Sequence, residues 1–125
     1  MDNKGYLQYK EQSINTMTQG ELLLLLYDEL YKRLSLAEIM LDKKEFPVFE
    51  DAVERSIAII DYLDATLDHQ YPISKNLTQL YEYFTYELGR VKIGRRKEVL
   101  TPVKGMVNEL RNAFRQAQKS GDSGK

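Results

Sequence analysis

The chain of 125 residues contains no cysteine, no tryptophan, one histidine and three prolines. Without cysteine it has neither a disulfide scaffold nor thiolate chemistry. One histidine cannot supply the two Glu-x-x-His motifs of a di-iron bundle. Nor does His69 suit phosphotransfer, which needs an exposed mid-helix histidine with basic neighbours. It stands between Asp68 and Gln70, ahead of Pro72, and reads as a solvated turn residue. Neither sign of charge is in excess: 18 Lys/Arg against 19 Asp/Glu leave a net charge of −1. That excludes the basic footprint of a general nucleic-acid binder, so no nucleic-acid partner is expected. The short run Arg95-Arg96-Lys97 reads as a solvated turn. The leucine run Leu22 to Leu26 is far too short to cross a bilayer, and Asp28 and Glu29 close it off, so no membrane insertion is expected. The polar stretch from Asp2 to Gln12 has no secretory h-region, which makes the cytosol the expected location. No glycine-rich phosphate loop and no nucleophile–base pair is legible. Asp61, Asp64 and Asp68 share a helical edge, but no second carboxylate cluster completes an oxygen shell, so they read as a solvated face. The residues therefore offer no enzyme chemistry, no metal site and no cofactor.

What the chain does have is leucine, at the start of a helix. Thr18 followed three residues later by Glu21 is a capping box, in which the threonine oxygen accepts from the Glu21 amide and the glutamate reaches back to the Thr18 amide. Five consecutive leucines follow. A helix that opens with leucine all round is buried on more than one side, so its first turns need cover beyond a bundle core. That cover is the preceding tyrosine-bearing segment, a neighbouring subunit or a bound partner.

The rest of the chain reads as helix. A first helix carries Leu22, Leu26, Leu30, Leu34, Ala37 and Leu41 on one stripe and stops in the cluster Asp42-Lys43-Lys44-Glu45. Pro47 suits the first turn of a second, whose seam is Phe49, Val53, Ser56, Ile60, Leu63 and Leu67, spaced 4-3-4-3-4. A third, capped near Ser74, shows Ile73, Leu77, Leu80, Phe84, Leu88 and Val91. After Gly94 a fourth carries Val99, Val103, Met106, Leu110, Ala113 and Ala117; Pro102 either lies in its first turn or kinks it, and Gly105 would permit a close crossing. Short connections leave one arrangement, an all-α, antiparallel up-down-up-down four-helix bundle. The expected boundaries are a capping segment over residues 1–17, the bundle over 18–119 and a small polar disordered tail over 120–125.

Nine tyrosines against four phenylalanines point to a contact surface, because tyrosine combines area with a hydroxyl that tolerates water. Tyr27 and Tyr81 fall beside core stripes. Tyr83 and Tyr86 fall on the opposite edge, with Asn76, Gln79 and Arg90, where partial exposure is expected.

Several of these residues stand in a familiar register. Gly5-Tyr6-x-x-Tyr9, Ser13-Ile14-Asn15-Thr16, Gly20-Glu21-Leu22 and Leu26-Tyr27-Asp28 closely resemble the N-terminal signature of the FliS family of flagellin export chaperones. The resemblance continues through Leu67-Asp68, Asn76-Leu77-x-x-Leu80-Tyr81-x-Tyr83 and Leu110-Arg111-x-Ala113-Phe114, and so covers about residues 5–117. Three places depart from it. Gln19 stands where proline is frequent, Phe114 where tryptophan is typical, and Gly94-Arg95-Arg96 replaces an asparagine-containing connection. The resemblance implies that the chain binds the disordered C-terminal segment of flagellin in the cytosol, prevents its premature polymerisation and hands it to the flagellar type III export gate. It also implies that Tyr6, Leu7, Tyr9 and Ile14 form a removable cap over the leucine-rich helix start. With Leu23, Tyr27, Tyr83 and Tyr86 they make up the expected flagellin-binding and cap residues. The rival arrangement is a constitutive homodimer whose leucine face is covered by its twin.

Overall fold

A computed structural model describes residues 17–123 and, within them, four helices and no strand. We number the helices α1 (Gln19–Asp42), α2 (Phe46–Ala65), α3 (Ile73–Gly94) and α4 (Lys97–Ser123). Each packs on two neighbours in a ring, α1 on α2 and α4, and α3 on α2 and α4. The expected bundle is therefore the observed one.

The first helix opens as its sequence requires. The Thr18 hydroxyl oxygen accepts from the Glu21 amide at 3.1 Å, and the Glu21 carboxylate accepts from the Thr18 hydroxyl, also at 3.1 Å. The glutamate thus meets the side chain rather than the Thr18 amide. At its other end Glu45 and Lys44 donate their amides to the carbonyls of Met40 and Leu41, at 2.8 and 3.1 Å. This is a Schellman closure, with Lys44 in the left-handed conformation (φ 59°) that glycine usually fills. Arg95 (φ 53°) makes the matching turn between α3 and α4, and its guanidinium lies 3.5 Å over the Phe46 ring, tying the two connections at that end together.

The core is a column of fully buried side chains: Tyr27, Leu30 and Leu34 from α1, Phe49, Val53 and Ile60 from α2, Phe84 and Leu88 from α3, and Leu100, Val103 and Val107 from α4. On α2 the 4-3-4-3 seam is buried from Phe49 to Leu63, while Leu67 lies past the helix end and packs from the connection. Ser56, the polar member of that seam, is buried but donates to the Ala52 carbonyl at 2.8 Å, so no orphan group results.

Three readings need correction, and for Pro102 one of the two alternatives falls away. Ser74 is not a cap: α3 starts at Ile73 after Pro72, and Ser74 turns inward within the first turn, 5% exposed. Carbonyls of Tyr71 and Pro72 close that helix end instead, accepting from the amides of Ser74 and Lys75. Pro102 lies inside α4 at its sixth residue, beyond the first turn. Gly105 faces open space, so no helix crosses there. The inward line of α4 is Leu100, Val103 and Val107; Ala113 and Ala117, expected inside, are exposed. In addition, the polar stretch from Ser120 continues α4 as far as Ser123.

Candidate peptide-binding groove

The two sides of α4 differ in chemistry. Toward α1 it is closed by a ladder of charges. Lys97 reaches Asp42 at 2.8 Å, Lys104 reaches Glu38 at 2.6 Å, and Arg111 and Arg115 both reach Asp28, at 3.3 and 3.1 Å. The Arg111 guanidinium also lies 4.2 Å over the Tyr31 ring, with Lys104 at 5.4 Å. Burial alone would raise the Glu38 carboxyl, but hydrogen bonds from Lys104 and Thr101 outweigh it and hold the group below its ordinary range.

Toward α3 the other side is apolar and open. Two adjoining hollows open there, one at the bundle end beside α1, α2 and the α2–α3 connection and one in the seam itself. One, of about 200 Å³, is walled by Leu23 of α1, Leu63 and Leu67 near the end of α2, and Tyr71 in the connection. The other, of about 320 Å³, is walled by Leu110, Ala113 and Ala117 of α4. Ile73, Leu77 and Phe114 belong to both, so the hollows form one continuous groove. Its polar edge is confined to the first hollow, where Gln19, Thr66 and Asp68 stand at the rim.

The floor of the groove is aromatic and fixed. The Phe114 ring stacks on Tyr27, with centroids 5.1 Å apart and planes at 27°. Tyr27 is fully buried and its hydroxyl is hydrogen-bonded to that of Tyr81, which lines the first hollow. Burial pushes both phenols above the ordinary tyrosine range, so they stay protonated and keep that bond at any ordinary pH.

Of the residues expected from sequence, Leu23 lines the groove, and Tyr27 lies beneath it, acting through Phe114 and Tyr81. Tyr83 is 44% exposed. Helical phase sets it on the edge of α3 away from Thr78 and Lys92, which bond to α2. Tyr86, 68% exposed, points away from the core. Tyr6, Leu7, Tyr9 and Ile14 lie outside the described residues. The leucine run is only partly covered: none of Leu22 to Leu26 is buried, and Leu25 is exposed. Sequence reasoning missed the groove wall formed by Ile73, Leu110, Ala113 and Ala117, because an apolar stripe was assigned to the core by default. The one available signal was an α4 surface with apolar residues on more than one line. His69 is exposed, and no group of three or more metal-ligating side chains exists among the described residues. No described helix is long and apolar enough to cross a membrane.

Among the described residues this is a helical bundle with one seam sealed by charges and one open apolar seam, a surface of the kind that amphipathic segments occupy. Its family is specific. The model for "Flagellar protein FliS" matches residues 1–121, and the chain belongs to that family. It is similar to the flagellar secretion chaperone FliS of Bacillus subtilis (strain 168), with 30% identity over 115 residues, covering 92% of this chain and 86% of that one. Against the flagellar secretion chaperone FliS of Salmonella typhimurium (strain LT2), identity is 26% over 117 residues, covering 90% and 87%. A crystal structure of a bacterial flagellar chaperone shares the fold, with a TM-score of 0.77 at 16% identity over 96% of this chain and 99% of the other. This is a chaperone family and not an enzyme family, and membership supports a role in flagellar export.

Proposed function

We propose that this chain binds the disordered C-terminal segment of flagellin in the cytosol, keeps it from polymerising early and delivers it to the flagellar type III export apparatus. The observation that carries this reading is the open apolar groove between α3 and α4, present in a member of a flagellar chaperone family. An unfolded segment that forms an amphipathic helix would lay its apolar face there. The pieces nearest its path are Leu23 at the mouth and Tyr27 in the floor, while Tyr83 and Tyr86 would be met only by a segment that continues beyond the hollows along α3.

In the same reading the segment bearing Tyr6, Leu7, Tyr9 and Ile14 covers the leucine-rich start of α1 until flagellin arrives. It enters the helix at Thr18, beside Gln19 and Leu23 of the groove mouth. Titration calorimetry with a flagellin C-terminal peptide tests both parts. Binding should show a strongly negative heat-capacity change, a rise in helicity on mixing and only modest salt dependence. An affinity falling by orders of magnitude between low and moderate salt would make charge, not the groove, the determinant. Tyr9→Ala should weaken binding by about 2 kcal/mol if that ring also touches the partner. Deletion of residues 1–13 should raise hydrophobic-dye binding by the free protein. Unchanged affinity for both variants removes the segment from the site. A native mass of two chains with and without flagellin would favour the homodimeric scaffold instead.

A further inference from the structure

We infer that Phe114 selects the size of the apolar side chain that the groove accepts, which makes it a specificity-determining residue of the site proposed above; the inference rests on that reading. Three side chains wall both hollows, and they are not equivalent. Ile73 is 60% exposed on the outer rim, where its few neighbours let it give way. Leu77 is only 8% exposed and belongs to the core, so its position answers to the bundle before any ligand. Phe114 alone is both half-exposed to the hollows and held rigidly from behind.

That rigidity has a source. One face of Phe114 rests on the Tyr27 ring, and Tyr27 is fixed by complete burial and by its hydrogen bond to Tyr81. Tyr81 is itself a wall of the first hollow, so the stack and the wall move together or not at all. A partner side chain entering the junction of the hollows meets a ring that cannot retreat, and its bulk must fit what Phe114 leaves. Close packing makes such a limit sharp: a bulky residue that must displace a fixed neighbour is rejected, and a small one leaves contacts unmade. Two hollows side by side also match two anchors on one helix face, three or four residues apart. Phe114 is then the partition between them.

The test uses the full chain and a panel of flagellin C-terminal peptides in which each leucine or isoleucine is replaced in turn by phenylalanine. For each position the ratio of phenylalanine to leucine affinity is measured on the wild type, Phe114→Leu and Phe114→Trp. At the anchor position that meets the junction, the ratio should shift toward phenylalanine by about tenfold in Phe114→Leu, and toward the smaller residue in Phe114→Trp, a difference of about 1.4 kcal/mol each way. The ratio is insensitive to a general loosening of the fold, which would weaken all peptides alike. Equal weakening of every peptide, or ratios that do not move at any position, overturns the inference while leaving flagellin binding intact. Failure of the wild type to bind any of these peptides overturns the proposed function and this inference with it.

Discussion

Removing the hydroxyl of Tyr27 isolates a second hydroxyl, that of Tyr81, and the structure says what that should cost. The two phenols are hydrogen-bonded to each other in the core, with Tyr27 fully buried and Tyr81 3% exposed. Tyr27→Phe changes no ring and opens no cavity, but leaves the Tyr81 hydroxyl without its partner. A buried polar group deprived of its bond costs about 1–3 kcal/mol. Tyr81→Phe does the same to the Tyr27 hydroxyl and should cost a similar amount. The double variant replaces both partners by shape-matched apolar rings and should lie within about 1 kcal/mol of the wild type. Urea unfolding of all four proteins measures this, with unchanged m-values confirming that only stability moved. A double variant whose loss equals the sum of the two single losses would mean that the hydroxyls do not depend on each other.

Other perturbations have equally definite signs. Ile60, fully buried on α2, should lose about 2–5 kcal/mol as Ile60→Ala, and a loss below about 1 kcal/mol in chemical denaturation would show that the seam is not closed. The two buried phenols titrate above their unfolded value of about 10, so the folded state holds its protons longer than the unfolded chain does. Stability should therefore be flat on their account below about pH 10 and fall above it; urea midpoints that hold constant from pH 9 to 11 would contradict it. Gly105 is exposed in α4 with open space where a Cβ would stand, so Gly105→Ala should raise stability by about 1 kcal/mol in the same assay.

Helices are local objects, and their existence was legible wherever a 3.6-residue apolar period persisted. The Phe49-to-Leu63 seam of α2 and the Thr18 start of α1 needed nothing from elsewhere in the chain. The inward face of α4 was not legible, because Val99, Met106, Leu110 and Ala113 make as good an apolar stripe as Leu100, Val103 and Val107. Which of the two meets the core depends on what α1 and α3 present on either side. The groove escaped for the same reason: it is the apolar surface left over once the core is filled. The Tyr27–Tyr81 bond joins residues 54 apart in sequence and leaves no trace in any local pattern. Ser74 misled because serine is a common cap, whereas here backbone carbonyls do that work and the side chain turns inward.

The ladder between α1 and α4 has a consequence for handedness. Four antiparallel helices can be arranged around their axis in either rotational sense, with the same neighbours and the same residues facing inward. The two senses differ only in which flank of each helix meets which neighbour. On α4 one flank carries Lys97, Lys104, Arg111 and Arg115, and the other carries Leu110, Ala113 and Ala117. In the opposite sense the basic flank of α4 would face α3 while the flank of α1 that bears Asp28, Glu38 and Asp42 would face α2, so the two halves of the ladder would be parted and those carboxylates would lose the cations of α4. The charges on α4 thus act as a chirality label, read once during assembly, that rejects the mirror-wound arrangement.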